Sequence, residues 1–307
     1  MEHIPVLAGS AIEYLRIRGD GFYVDCTAGA GGHSALIAER LSEGGRLIAI
    51  DRDPEAVARV RERLKPYPRS LVVRGNYGDL AAVLAAQGVS EVDGVLIDAG
   101  ISSMQLDDPA RGFSFQEAGP LDMRMDPDSG LSAAEYLERV EESELARILR
   151  EYGDLKLANR IANAICRRRL KQPLRTTSDL VDTVSQVFDF VRGIPEETRT
   201  VFQAVRIAVN EELRELEEGL QQAIVSLRSG GRIVCITFHS GEDRIAKNVF
   251  RAASTKRRVL HADGRVKEIL PAIAKVLTRK PVLPSKEEIG LNSRARSAKL
   301  RAIEKLA

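Results

Sequence analysis

Along the first third of the chain, short apolar runs alternate with segments whose apolar residues return every three or four positions. The runs Phe22–Cys26, Leu47–Ile50, Leu71–Val73 and Val92–Ile97 have strand character. Between them lie helix patterns. Ala35, Leu36, Ile37, Ala38 and Leu41 form the first, and Pro54 opens the second, which carries Ala56, Val57 and Val60 through Leu64. Leu80–Ala86 forms the third. This alternation predicts an α/β fold, a doubly wound Rossmann-like sheet with parallel strands.

Ligands of such sheets bind beyond the carboxyl ends of the strands. The residues expected there are the bend Cys26–His33, then Asp51, Tyr77 and Asp98. The bend reads Cys-Thr-Ala-Gly-Ala-Gly-Gly-His, and its glycines let backbone approach a ligand at a helix start. The dinucleotide pattern GxGxxG requires glycine at position 34, where the chain has Ser34. Asp25 ahead of a Gly-x-Gly-Gly bend suits a ligand carrying a carboxylate and an ammonium, such as S-adenosylmethionine, better than a pyrophosphate. An acid after the second strand, Asp51, suits ribose hydroxyls.

The next strand, Arg232–Thr237, follows only after a long interval, far more than one crossover helix needs. An inserted all-helical domain is therefore expected at 106–205, within a discontinuous domain of 1–105 and 206–307. Its first part, Ser102–Gly130, has no clear period and carries Arg111, Phe113, Phe115 and Arg124, as a substrate loop would. Helices follow. Ser132–Glu135 is a capping box, and Leu145, Ile148 and Leu149 mark an apolar face. Leu155, Ala158, Ile161, Ala162 and Ile165 mark a second face, ending in Arg167-Arg168-Arg169, a triplet that complements a helix C-terminus. Thr176 caps a third helix, and Pro195 opens a long one to about Leu227, closed by Gly230.

Composition narrows the function classes. No apolar run is long enough to span a membrane, and the start Met1-Glu2-His3-Ile4-Pro5 does not read as a signal peptide. Three scattered cysteines form neither a disulfide framework nor a zinc knuckle, so a cytoplasmic protein is expected. His3, His33 and His261 are dispersed, so no metal site is expected. Net charge is +2, yet residues 251–307 hold 15 Lys and Arg against 5 Asp and Glu. That asymmetry suits a polyanion such as nucleic acid. The run Phe238-His239-Ser240-Gly241-Glu242-Asp243-Arg244 falls on the same sheet edge as Asp98. It reads as a substrate-contacting loop rather than a hydrolase triad.

Across nearly its whole length the chain resembles the bacterial small-subunit (16S) ribosomal RNA cytosine-N4-methyltransferases, the methyltransferase H family. The resemblance rests on His3–Leu7, Asp25–Ser34, Ser102–Phe115, Pro120–Met125, Phe202–Ile207, Phe238–Ser240 with Glu242–Arg244, and Arg294–Arg301. Departures are Gly241 and Ala99, where leucine is usual, and Ser293 in place of proline. The resemblance implies methyl transfer from S-adenosylmethionine to the exocyclic amine of a decoding-region cytidine. It places Gly31, Gly32, His33, Asp51, Tyr77, Asp98 and Gln105 at cofactor positions. Asp98 and His239 are the candidate catalytic groups. Arg111, Phe113, Phe115, Arg124, Arg244, Arg294 and Arg296 are the candidate substrate contacts. The expected partner is 16S ribosomal RNA in the small subunit or an assembly intermediate. A homodimer is compatible with the sequence. The alternatives are a non-catalytic RNA-binding or assembly factor and a nicotinamide-dependent dehydrogenase on a related sheet.

Overall fold

The computed structural model describes residues 5–188, 191–260 and 266–307. His3 and His261 lie outside them. Two compact units are present, one of residues 1–100 and 213–307, the other of residues 101–212. The insertion thus begins before the expected residue 106 and ends after the expected 205.

The first unit opens with α1 (Ala8–Leu15), β1 (Phe22–Asp25), α2 (Gly32–Ala38), β2 (Arg46–Asp51), α3 (Pro54–Arg63), β3 (Ser70–Arg74), α4 (Leu80–Ala86) and β4 (Val92–Asp98). The second unit holds α5 (Ser103–Asp107), α6 (Ala133–Arg139), α7 (Glu142–Glu151), α8 (Ala158–Lys171), α9 (Thr177–Ser185) and α10 (Glu197–Val209). The chain returns through α11 (Glu212–Ser226), β5 (Leu227–Thr237), α12 (Ser240–Ala253), β6 (Arg257–Leu260), β7 (Val266–Leu270), β8 (Ala274–Val276), α13 (Lys286–Leu291) and β9 (Lys299–Lys305).

Seven strands form one sheet in the order β3-β2-β1-β4-β5-β9-β8. The first five run parallel, and β9 is antiparallel to both its neighbours. A separate antiparallel pair joins β6 and β7. Side chains alternate across the sheet. Val95 and Ile97 of β4 enter one core with Leu216, Leu220 and Phe250, while Leu96 between them enters the other with Ile37, Val60 and Ile236. Both faces are covered, which is why these strands read as continuous apolar runs.

Two expectations at the return are corrected. The single helix from Pro195 to Leu227 is two helices, broken at Asn210 and Glu211, where Glu211 has φ 51°. Gly230 does not close a helix. It lies inside β5 with φ 77°, where the pairing register with β4 shifts between Val92 and Gly94, so its positive φ serves a bulge.

In the helical unit, Phe113, Leu121, Met123, Leu145, Ile161, Leu180, Phe202 and Val205 share one core. Capping boxes at Ser132 with Glu135 and Thr176 with Asp179 start α6 and α9. The loop before α6 is fastened by Asn210. Its Nδ2 donates to Met123 O at 2.7 Å, and its Oδ1 accepts from Met125 N at 2.8 Å. Met123 is held there at φ 61°, unusual for a side chain with a Cβ.

Candidate active site at the strand ends

The bend after β1 is stitched to strands on both sides. Cys26 N donates to Leu96 O at 2.8 Å, and Ala28 N donates to Ile50 O at 2.9 Å. Since β2 and β4 leave β1 in opposite directions of the winding, the bend sits at the topological switch point. Gly31 caps α2 at φ 79°, and a Cβ there would come within 2.9 Å of the Arg63 side chain. The backbone is therefore bare and close at this helix start. Beneath it Asp25 is fully buried. Its Oδ2 accepts from the Ser34 hydroxyl at 2.5 Å and its Oδ1 from Thr27 N at 3.2 Å. Burial raises its pKa, opposed by the nearby His33 charge and the Ser34 bond.

Asp51 ends β2 half-buried, and each carboxylate oxygen accepts one backbone N–H. Gly29 N lies 2.7 Å from Oδ2, and Asp53 N lies 2.9 Å from Oδ1. Each oxygen keeps a second acceptor site. Burial raises the Asp51 pKa to about 6, despite these two donors. Tyr77 stands after β3, half-buried against α11. A Cβ on Gly219 would lie 2.7 Å from its ring, so only glycine admits this approach.

His33 and Asp98 face one another from α2 and the end of β4, with Nε2 3.5 Å from Oδ2. Burial pushes the imidazole pKa down, but the Asp98 carboxylate and the Asp25 charge outweigh it, and the net shift is upward. Asp98 Oδ1 is buried and has no hydrogen-bond partner among the described residues. An anionic acceptor left in that condition fits a ligand that brings its own N–H. The Asp98 backbone is fixed by its N–H, which donates to Thr27 Oγ1 at 2.6 Å.

His239 caps α12 with its own ring. Its Nδ1 accepts from Gly241 N at 3.2 Å and Glu242 N at 3.4 Å. Acceptance at Nδ1 places the ring proton on Nε2, which lies 3.1 Å from Glu242 Oε1. Glu242 is buried, and its Oε2 accepts from Phe238 N at 2.8 Å. Sequence reasoning placed this segment on the sheet edge of Asp98 and named Glu242 within it, but did not read His239 and Glu242 as a helix cap. The available signal was an acid three residues after a polar cap. Asp243 anchors α12 to β9 through Arg301, at 2.7 Å and 3.1 Å. Arg244, Arg294 and Arg296 are exposed.

The remaining candidates belong to the helical unit. Gln105 forms a capping box with Ser102, whose N–H donates to Gln105 Oε1 at 3.1 Å. Arg111 donates to the carbonyls of Arg124 and Met125, both at 3.0 Å, and its guanidinium lies 5.9 Å from the Phe113 ring. Phe113 is buried, and half-buried Phe115 packs on Phe202 with ring centroids 5.1 Å apart. Arg124 pairs with Asp122 at 2.9 Å and 2.7 Å. These contacts shape the loop itself.

The family model described as the MraW methylase family matches residues 1–306. A ribosomal RNA small subunit methyltransferase H of Brevibacillus brevis is 46% identical over 99% of this chain and 98% of its own length. The enzyme of that name from Methylibium petroleiphilum is 47% identical over 99% and 95%. That from Methylococcus capsulatus is 46% identical over 98% and 100%.

Proposed function

The chain belongs to the MraW methylase family, and from that premise we propose that it methylates the exocyclic N4 amine of a cytidine in the decoding region of 16S ribosomal RNA. S-adenosylmethionine is the methyl donor. The residues present fit it on structural grounds: a bare helix start at Gly31, acceptor capacity on Asp51 for a diol, and the unpartnered buried Asp98 Oδ1. When bound, this cofactor supplies a methyl group activated by a sulfonium.

Asp51 accepts from the ribose hydroxyls, and Tyr77 covers the adenine. The backbone at Gly31 and Gly32, with His33, holds the methionine portion. The amine of cytosine is a weak nucleophile because its lone pair is delocalised into the ring. Asp98 accepts one amine N–H, which localises that pair toward the methyl carbon. Bound there, the cofactor would supply an electrophilic methyl carbon and a neutral thioether leaving group, and Asp98 would stand beside the amine proton that is released. Holding nitrogen, carbon and sulfur in line supplies much of the rate. We assign His239 to positioning: both its ring nitrogens face the start of α12 and Glu242. Arg244, Arg294 and Arg296 contact phosphates, while Arg111, Phe113, Phe115 and Arg124, expected as substrate contacts, hold their own loop in shape: Phe113 is buried and both arginines are engaged within the loop. Small subunits or an assembly intermediate serve as substrate, since the target nucleotide lies in folded RNA.

The observation that carries this reading is the buried acceptor Asp98 Oδ1 at the switch point. Asp98→Asn is expected to slow single-turnover methylation of small subunits by about 10²-fold or more, with RNA affinity nearly unchanged. Equal rates would remove the role. Mass spectrometry mapping the methyl group to a nucleotide other than a cytidine, or to a ring atom, would overturn the target.

A further inference from the structure

The helical unit is acidic overall. Residues 101–212 hold 15 Lys and Arg against 20 Asp and Glu. Its charges are sharply segregated, because residues 155–178 hold seven cations and no acid. Most of that run is α8. The triplet Arg167-Arg168-Arg169, which suggested a simple match to the helix dipole, is divided by the structure into different jobs.

Arg168 donates to Gln172 Oε1 at 2.7 Å and pairs with Asp179 at 3.3 Å. Arg169 turns inward and donates to the Leu137 and Val140 carbonyls at 2.6 Å and 2.7 Å. Those two are structural. Arg167 points to solvent, as do Arg160 and Lys171. Among the described residues, none of these three side chains forms an ion pair or hydrogen bond. With Ala164 they follow the spacing i, i+4, i+7, i+11, which puts all four on one helix face. At 1.5 Å per residue the row is about 16 Å long. Exposed Lys156 leads into it and exposed Arg175 follows it.

The acids of the neighbouring α7 form no ion pair with this row: two turn to Arg147, and Glu142 meets the neutral amide of Asn163 on α8. Glu144 pairs with Arg147 at 2.6 Å, Glu151 also pairs with Arg147, and Glu142 accepts from Asn163 at 3.1 Å. Lys171, in the last turn, complements the helix dipole, but Arg160 and Arg167 have neither that role nor an ion-pair partner. Like charges at i, i+4 cost a few tenths of a kcal/mol in an isolated helix.

We infer that the outer face of α8, through Arg160, Arg167 and Lys171, is a docking surface for the phosphate backbone of the RNA substrate. The inference rests on the proposed RNA reading and adds to it a defined binding element in the helical unit. Ala164 leaves the middle of the row low, so a backbone can lie along it without steric obstruction. Such contacts fix register and orientation without reading sequence.

The test uses the full chain with isolated small subunits at salt concentrations from 50 to 200 mM. Three proteins are compared with wild type. One carries Arg160→Gln, Arg167→Gln and Lys171→Gln, one carries Arg160→Lys, Arg167→Lys and Lys171→Arg, and one carries Leu170→Ser at the exposed apolar neighbour. The neutral triple variant is expected to bind about 10-fold or more weakly at the low-salt end. Its log–log salt slope should be shallower by about two to three, with S-adenosylmethionine affinity unchanged. The charge-retaining variant and Leu170→Ser should bind as wild type. Each single neutral variant should lower the slope by about 0.7–0.9, which keeps the test decisive if the triple variant melts early. An unchanged slope in the neutral variants overturns the inference. So does equal loss in the charge-retaining variant, or loss confined to Leu170→Ser, which would mark a protein partner. Wild-type methylation mapped to a different RNA would fail the target assignment, while the salt slope on that RNA would still judge the α8 face.

Discussion

Asp51 and Asp98 are carboxylates at strand ends with opposite needs. Asp51 already satisfies two backbone donors, one on each oxygen, while Asp98 Oδ1 has no partner among the described residues; in the proposed function ligand donors join the first, and the second awaits the ligand alone. Removing the first by Asp51→Ala is expected to cost about 1.5–3 kcal/mol of S-adenosylmethionine affinity, read by calorimetry near pH 7.5. Its pKa of about 6 adds a pH signature. Hydroxyl donors prefer the ionised carboxylate, so affinity is full above pH 6 and declines as pH falls through 6. Asp51→Ala should flatten that decline. For folding alone the sign is reversed: an acid held above its usual 3.8 costs stability when ionised, and acidification from 6 toward 3.8 relieves that cost. Both acids were legible in the sequence because each terminates an apolar run, and the end of a strand is where a doubly wound sheet binds. The work of His239 was not legible. A histidine beside a serine and a glutamate has the composition of a catalytic cluster. Only the approach of Gly241 and Glu242 N–H groups to Nδ1 reveals a helix cap.

Among the elements, Leu80–Ala86 and the helices with strong three-to-four periodicity were read closely from sequence, because a single apolar stripe sets both their type and their extent. The break between α10 and α11 was hidden for the same reason: apolar residues continue in step across it, and Asn210 and Glu211 are not breakers by type. What stops the helix is the use of Asn210 as a clamp on the loop at Met123 and Met125. Asn210→Ala would remove the bonds that its side chain makes to Met123 O and Met125 N. It is expected to lower stability by about 2–4 kcal/mol, seen as a lower urea midpoint with little change in m-value. The last strands, β8 and β9, were also not read. Lys299–Lys305 mixes charge with apolar residues because Arg301 is buried against Asp243 and Glu304 accepts from Arg232 at 2.8 Å.

For the whole molecule, charge is divided by region: the segment from Arg251 onward is basic, the helical unit acidic except for one face. Arg294→Ala with Arg296→Ala is expected to weaken small-subunit binding and reduce its salt slope by about 1.5–2, leaving S-adenosylmethionine affinity intact. No helix among the described residues is long and apolar enough to cross a membrane. The presence of an insertion was legible from the interval between strands, but its limits were not, since Ile101–Gln105 and Arg206–Glu212 carry no change of composition. That insertion also bears on how the chain assembles. Asp98 pairs with Ile236, so β4 and β5 meet only after the ends of a very long loop close. Closure entropy grows with the logarithm of the free chain between two contacts. Helices α7 to α10 rely mainly on near neighbours in sequence, so collapse of the insertion first would shorten the loop the sheet must close. Pulse-labelled hydrogen exchange during refolding should then protect the amides of α7 to α10 before those of β5. On that order the site at the sheet edge would become competent late, because its last strand would arrive only after a separate core had formed.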